Sequence, residues 1–305
     1  MSSIACVFPG QGSQHPEMLK TDLVDQSFIN EKIEIVSQIL QSDVNSILEN
    51  ETKLNSTSFT QPLLVLSSAI FSEAYKNLSL SNPEVIAGHS LGEYSALVFA
   101  ESITFEDAIE MTHLRGKLMQ NSEEGKMMAI LGLDSKTIDE ACSQINESHK
   151  TAYVASANYN SAKQTVIAGN IEGIDIARNL LPDIGAKRCI ELNVSIASHT
   201  KLMTDAANEF NEALQKINLS PPRHPIIQNY TGEIETDISS IKQNLFNQLT
   251  KPVLWTKTMD KISQSASCLI EVGPKNILCG LSKGYDLSSI LYIADQNFKD
   301  KVQNI

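Results

Sequence analysis

Nowhere in the 305 residues is there an uncharged apolar run approaching the ~20 residues a bilayer-spanning helix needs, which excludes a helical membrane protein. The opening MSSIACVFPGQGSQ lacks a basic segment ahead of its apolar stretch, and Ile4 to Phe8 has the length of a strand, not of a signal-peptide core. A soluble, cytoplasmic protein is expected. Positive charge is in short supply: 24 Lys and Arg stand against 36 Asp and Glu, a net charge of −12. That deficit argues against sequence-independent nucleic-acid binding, and any anionic partner has to be met by a local basic patch. The five cysteines, Cys6, Cys142, Cys189, Cys268 and Cys279, form an odd set with no C-x-x-C pair. Neither a disulfide framework nor a zinc site is suggested, and a reducing compartment fits. Long internal repeats, heptads and low-complexity tracts are missing too.

What remains is a globular composition, 42% hydrophobic and 20% charged. Ile4–Phe8 reads as a buried strand closed by Pro9 and Gly10. Residues 27–48 look helical, and TQPLLVLSSAIFSEAYKNL reads as a helix with Thr60 as N-cap and Pro62 in its first turn. A short strand, Glu84 to Ala87, leads into a serine turn and a further buried helix. Thr104 and Asp107 form a capping-box pair for a helix reaching about Gln120. The pattern then changes: strand 127–133, helix 135–148, strands 152–157 and 164–168, helix 171–181 and strand 187–193. This βαββαβ order is that of a ferredoxin-like module. Residues 125–195 are therefore expected as a small domain inserted into a larger α/β domain made of 1–124 and 196–305. Beyond it, a helix is expected over 199–219, a strand at 225–228, a helix over 238–249 and a strand at 268–272. A short helix is expected over 277–281 and an edge strand at 290–293.

The candidate chemistry centres on Gly88-His89-Ser90-Leu91-Gly92, at the junction of strand and helix. In a nucleophile elbow the serine hydroxyl is thrust out at the sheet's edge and the following N–H faces an oxyanion. Two glycines and a serine at these offsets also make an ordinary turn, so the motif alone leaves both readings open. A serine needs a base, most often histidine, itself oriented by a third group. His15, His89, His113, His149, His199 and His224 are the histidines available. His113 and His149 read as solvated or structural and His224 as loop surface, whereas His199 sits at the rim of the sheet, where it serves as a base or as a helix-capping residue. Between Ser90 and His199 no Asp or Glu stands at a convincing strand end, so a full triad in the order serine, acid, histidine is not indicated. A Ser–His pair still works if a carbonyl oxygen accepts from the other ring nitrogen. Arg115 reads, on the residues alone, as a solvated helix arginine.

Seven blocks in order, FPGQGSQ (8–14), TQPLL (60–64), GHSLGEYSAL (88–97), RGKLM (115–119), ASHTKLM (197–203), QLTKPVLW (248–255) and EVGP (271–274), resemble the malonyl-CoA:acyl-carrier-protein transacylases. The resemblance runs from residue 4 to about 281. It implies an α/β-hydrolase-like large domain interrupted by a ferredoxin-like insert, in agreement with the pattern above. It further implies that Ser90 is the acylated nucleophile, His199 its base, and Gln248 the hydrogen-bond acceptor that orients the imidazole in place of a carboxylate. Backbone N–H groups of Gln11 and Leu91 would form the oxyanion hole. Arg115 would grip a free carboxylate and so select malonyl over acetyl, and Asn158 and Asn160 would line the site.

The sequence departs from the family pattern at Ala162 and Asn193, where proline is usual, and at GPKNIL (273–278), where Gly-Lys more often follows Gly-Pro. The implied activity is a ping-pong transfer of malonyl from coenzyme A to the phosphopantetheine thiol of acyl carrier protein, supplying fatty acid elongation. No metal or redox cofactor is implied, and a monomer is expected. Lys163, Lys187 and Arg188 are candidates for a carrier-docking patch. The alternatives are an acyltransferase that loads a polyketide synthase carrier, a serine thioesterase or hydrolase, and a non-catalytic carrier-binding protein.

Overall fold

All five residues of strand β1 (Ile4–Phe8) are buried, as an unbroken apolar run covered on both faces must be. The computed structural model describes residues 2–303. The further strands are β2 (Val85–Gly88), β3 (Lys126–Leu131), β4 (Val154–Ser161), β5 (Gln164–Gly169), β6 (Arg188–Glu191), β7 (Ile226–Ile227), β8 (Ile234–Glu235), β9 (Cys268–Glu271) and β10 (Ser289–Tyr292). They form a mixed α/β fold with two sheets. The larger has the order β10-β9-β1-β2-β7-β8, parallel except for β8. The smaller, β4-β5-β3-β6, is antiparallel throughout.

Alternation along β1 splits the core. Ile4, Cys6 and Phe8 enter an apolar cluster shared with the helix Thr57–Asn77, while Ala5 and Val7 enter a second cluster containing Trp255 and Met259. The smaller sheet has its own core, Met128, Ile130, Val154 and Ile167 packed on the helices Ser135–Ser148 and Ile171–Asp183. Because β1, β2, β7 and β9 run parallel, their carboxyl ends open on one side. The loops that follow them there, 9–14, 89–91, 228–229 and 272–273, are where ligands bind in open α/β sheets. Among the described residues no helix is long and apolar enough to cross a membrane.

Several boundaries differ from expectation for physical reasons. The helix expected to be capped by Thr60 begins at Thr57, after Ser56. Ser56 Oγ donates to Gln120 Oε1 at 2.7 Å and Phe59 stacks on His113, so tertiary contacts add a turn, and Thr60 is buried with its hydroxyl on the Leu54 carbonyl. Pro62 thus falls in the second turn, where its missing N–H leaves the Ser58 carbonyl without its helical donor. His113 Nδ1 supplies one at 2.8 Å, a structural use of that histidine. The helix expected over 27–48 divides at Gln41, whose φ of +50° ends the first part; Asp43 caps the second. Helices Trp255–Ser265 and Phe298–Val302 and strand β8 lie outside the elements expected from the sequence. β4 starts two residues later than expected and extends to Ser161, with irregular pairing between Ser156 and Asn158 and between Tyr159 and Ser161. Such bulges re-aim side chains, and here they carry Asn158 and Asn160. β10 lies at the edge of its sheet, as expected.

Candidate active site

Ser90 follows β2 with a φ of +53°, in the left-handed region that costs a non-glycine residue about 1 kcal/mol or more. The strain sits on the serine itself. The flanking glycines serve close approach instead: a Cβ on Gly88 would lie 1.9 Å from the Gly92 carbonyl carbon, and one on Gly92 would lie 2.1 Å from the Phe8 oxygen. The elbow is therefore pressed against the end of β1, which brings the 9–14 loop alongside it.

Ser90 Oγ lies 2.8 Å from His199 Nε2. On the other side of the ring, Nδ1 lies 2.6 Å from the main-chain oxygen of Gln248. A carbonyl only accepts, so Nδ1 carries the proton and Nε2 presents its lone pair to the serine hydroxyl. His199 does not begin a helix: its φ is +62° and a 3₁₀ turn, Lys201–Met203, precedes the helix Thr204–Lys216. Burial, and then the nearby Arg115 guanidinium, push its imidazole down to about 3. The ring is neutral at physiological pH and available as a base.

The Gln248 side chain has a separate job. Its Oε1 accepts from Arg115 Nη2 at 2.9 Å, and its Nε2 donates to the Ser90 carbonyl at 3.0 Å and to Glu93 Oε2. Arg115 is fully buried, contrary to the solvated position read from its residue type alone. Its helix, Phe105–Gln120, reaches the site because Gly116 lets it approach the Thr57 backbone; a Cβ there would be 2.5 Å from the Thr57 oxygen. Arg115 Nη1 donates to Gln61 Oε1 at 2.8 Å, and Nη2 makes a long contact of 3.4 Å with Ser90 Oγ. Among the described residues no carboxylate pairs with it directly, and its Nε has no partner. Burial lowers its pKa, while Tyr94 and Glu93 raise it; an arginine stays charged under such shifts.

A cleft of about 250 Å³ opens over the serine, lined among others by Gln11, His89, Asn158, Asn193 and His199. Asn160 Oδ1 lies 2.9 Å from His89 Nε2, and Asn158 Oδ1 is buried without a partner. Gln11 Oε1 accepts from Gln61 Nε2 at 3.3 Å. Among the hydrogen bonds of the described residues, none uses the backbone N–H of Gln11 or of Leu91 as donor. No group of three His, Cys, Asp or Glu among the described residues is arranged to hold a metal ion.

The acyl transferase domain family matches residues 5–286. A malonyl CoA-acyl carrier protein transacylase from Haemophilus influenzae is 40% identical over 290 residues, 93% of this chain and 92% of its own. The chain belongs to the malonyl CoA-acyl carrier protein transacylase family. The transacylase structure from Coxiella burnetii superposes with a TM-score of 0.93 at 35% identity, covering 99% of this chain and 96% of that one. A type II PKS acyl-carrier protein in complex with its malonyl-transacylase gives a TM-score of 0.92 at 35% identity over the full length of both chains.

Three polar residues of this transacylase-family site are not marked by any motif role in the sequence. Gln61 lay inside the TQPLL block. Asn229 follows the apolar end of β7 and is fully buried, as is its neighbour Gln228. Glu93 is the single charged residue in the buried helix Gly92–Phe99. A carboxylate in an apolar helix, and an amide pair at the carboxyl end of a parallel strand, are the signals that would have found the latter two.

Proposed function

We propose that this acyltransferase moves malonyl from malonyl-CoA to the phosphopantetheine thiol of acyl carrier protein, through a malonyl ester on Ser90. The observation that carries the reading is the buried Arg115 guanidinium, with no carboxylate among the described residues paired to it directly, beside a Ser90–His199 pair. It supplies a preformed partner for a substrate carboxylate, gripped by paired charge-assisted hydrogen bonds. The relatives' names add the acyl group and the carrier.

In the proposed sequence His199 Nε2 takes the Ser90 proton as Oγ attacks the thioester carbon. The oxyanion is held by the N–H groups of Gln11 and Leu91, each such donor being worth about 3 kcal/mol. His199 then protonates the departing CoA thiolate. The carrier thiol enters, gives its proton to His199, attacks the ester, and Ser90 recovers its proton. Gln248 orients the ring through its main-chain oxygen. Asn158 lines the cleft, whereas Asn160 stands behind it against the lining residue His89, and no step calls for a metal or redox cofactor. A cytoplasmic monomer fits the reading. The parallel-rich sheet supports an α/β-hydrolase-like large domain (1–124 and 196–305). The strand order β4-β5-β3-β6 of a βαββαβ segment supports a ferredoxin-like small domain (125–195).

Arg115→Ala tests the carrying observation. Its malonyl-CoA to acetyl-CoA ratio of kcat/KM should fall by roughly 10–100-fold, the range expected for losing hydrogen bonds to a charged group; an unchanged ratio removes Arg115 as selector. A second reading, in which the carrier belongs to a polyketide synthase, is favoured by the carrier in the last structure compared. It keeps every residue role, and the two carriers' relative kcat/KM decides between them.

A further inference from the structure

Glu93 and Asn229 take no part in the proposed chemistry, yet they join its nucleophile to its base. Asn229 Oδ1 accepts from the Ser90 N–H at 2.6 Å and its Nδ2 donates to the Gly88 carbonyl at 2.5 Å. One side-chain amide thus staples both sides of the strained elbow. The backbone N–H of Asn229 is in turn held by Glu93 Oε1 at 2.6 Å. The other Glu93 oxygen accepts from Gln248 Nε2, which also donates to the Ser90 carbonyl. Gln248 is the residue whose main-chain oxygen holds His199.

We propose that Glu93 is a positioning residue that sets both members of the dyad at once. Through Asn229 it fixes the backbone of Ser90, and through Gln248 it fixes the segment whose carbonyl orients the His199 ring. The inference rests on reading Ser90 and His199 as nucleophile and base.

The donor pattern explains why the residue is a glutamate. Arg115 has no lone pair to offer, so the Gln248 amide must turn its oxygen to Arg115 and its NH₂ to Glu93. The Asn229 N–H is likewise only a donor. Both oxygens at position 93 have to accept, which a carboxylate does and a glutamine does not, since it sets donor against donor on one side. Burial holds Glu93 above the usual carboxylate range even after the Asn229 N–H, the Gln248 amide and Arg115 have lowered it, but a donor faces each of its oxygens, so the geometry calls for the ionised form. Its place in the first turn of the helix Gly92–Phe99 favours a negative group as well.

The test uses a fluorophosphonate, which bonds to Ser90 Oγ with loss of fluoride while the hydroxyl proton passes to His199. This reagent needs no malonyl-CoA site. Glu93→Gln and Asn229→Ala should each slow the reaction, by up to about 10²-fold for a nucleophile displaced by an ångström, with circular dichroism and unfolding cooperativity preserved. The double variant should slow it by less than the product of the two single effects, because both act along one route. A folded Glu93→Gln protein reacting at the wild-type rate, or a double variant equal to that product, overturns the proposal. If Glu93→Gln does not fold, Asn229→Ala decides: a wild-type rate overturns, and slowing in a folded protein supports. A wild-type Ser90 inert to the reagent overturns the dyad reading and this proposal together. A reactive Ser90 that malonyl-CoA never acylates removes the substrate reading and leaves the proposal standing.

Discussion

His199 has to be a base and yet sits beside a buried cation. Burial and Arg115 both disfavour its protonated form, so its titration lies far below the ordinary histidine range. His199 should therefore add no acid limb of its own to the rate of Ser90 acylation between about pH 8 and about pH 5 in single-turnover measurements, because its working neutral form persists throughout. An acid limb near the ordinary 6.5 would contradict the geometry. Stability follows with a definite sign. Below 6.5 the unfolded chain binds a proton at His199 that the native state refuses, so this residue's contribution is present above 6.5 and is lost as pH falls towards 3. At the same scale the sequence was partly legible. Ser90, His199 and Arg115 stand in quotable blocks, but Arg115's burial depends on contacts with Gln61 and Gln248, 54 and 133 positions away. Nothing local distinguishes it from a surface arginine.

Elements fail to announce themselves where tertiary contacts move their ends. Thr57–Asn77 gains its first turn from Ser56, Phe59 and their partners on the helix Phe105–Gln120, which no reading of capping residues contains. That same crossing depends on Gly116. Gly116→Ala should cost about 1–3 kcal/mol through overpacking, since the added Cβ would meet the Thr57 oxygen at 2.5 Å and Ser58 Cα at 2.7 Å. Urea denaturation reads this as a lowered midpoint; a midpoint equal to wild type would show that the helices separate freely. Strands are more legible than helix ends, because β1, β2 and the first three residues of β9 are buried apolar runs. The helix Trp255–Ser265 was available too: Trp255, Met259 and Ile262 lie at helical spacing and are buried together. The bulges that direct Asn158 and Asn160 depend on register against β5 and leave no mark in composition.

At the level of the whole molecule, two sheets follow from the order of strands and helices along the chain, whereas the convergence of loops 9–14, 89–91 and 197–199 with Gln248, near the end of the helix Ile238–Thr250, on one site needs the fold. The overall charge of −12 opposes any anionic partner, so a basic docking patch has to be local. Lys163 ends the turn between β4 and β5, and Lys187 precedes β6; their backbones bond to Gly132 and Leu131, and Arg188 pairs with Leu131. Three exposed cations thus gather at one end of the smaller sheet. Neutralising all three should raise the KM for carrier several-fold at low salt and leave that for malonyl-CoA unchanged; an unaltered carrier KM would place docking elsewhere. The most direct test of the central claim is intact-protein mass spectrometry after mixing with malonyl-CoA and then with holo acyl carrier protein. A single malonyl adduct is expected, one that vanishes in Ser90→Ala and is discharged to the carrier faster than to water. No adduct on the wild type, or an equal adduct on Ser90→Ala, would contradict that claim.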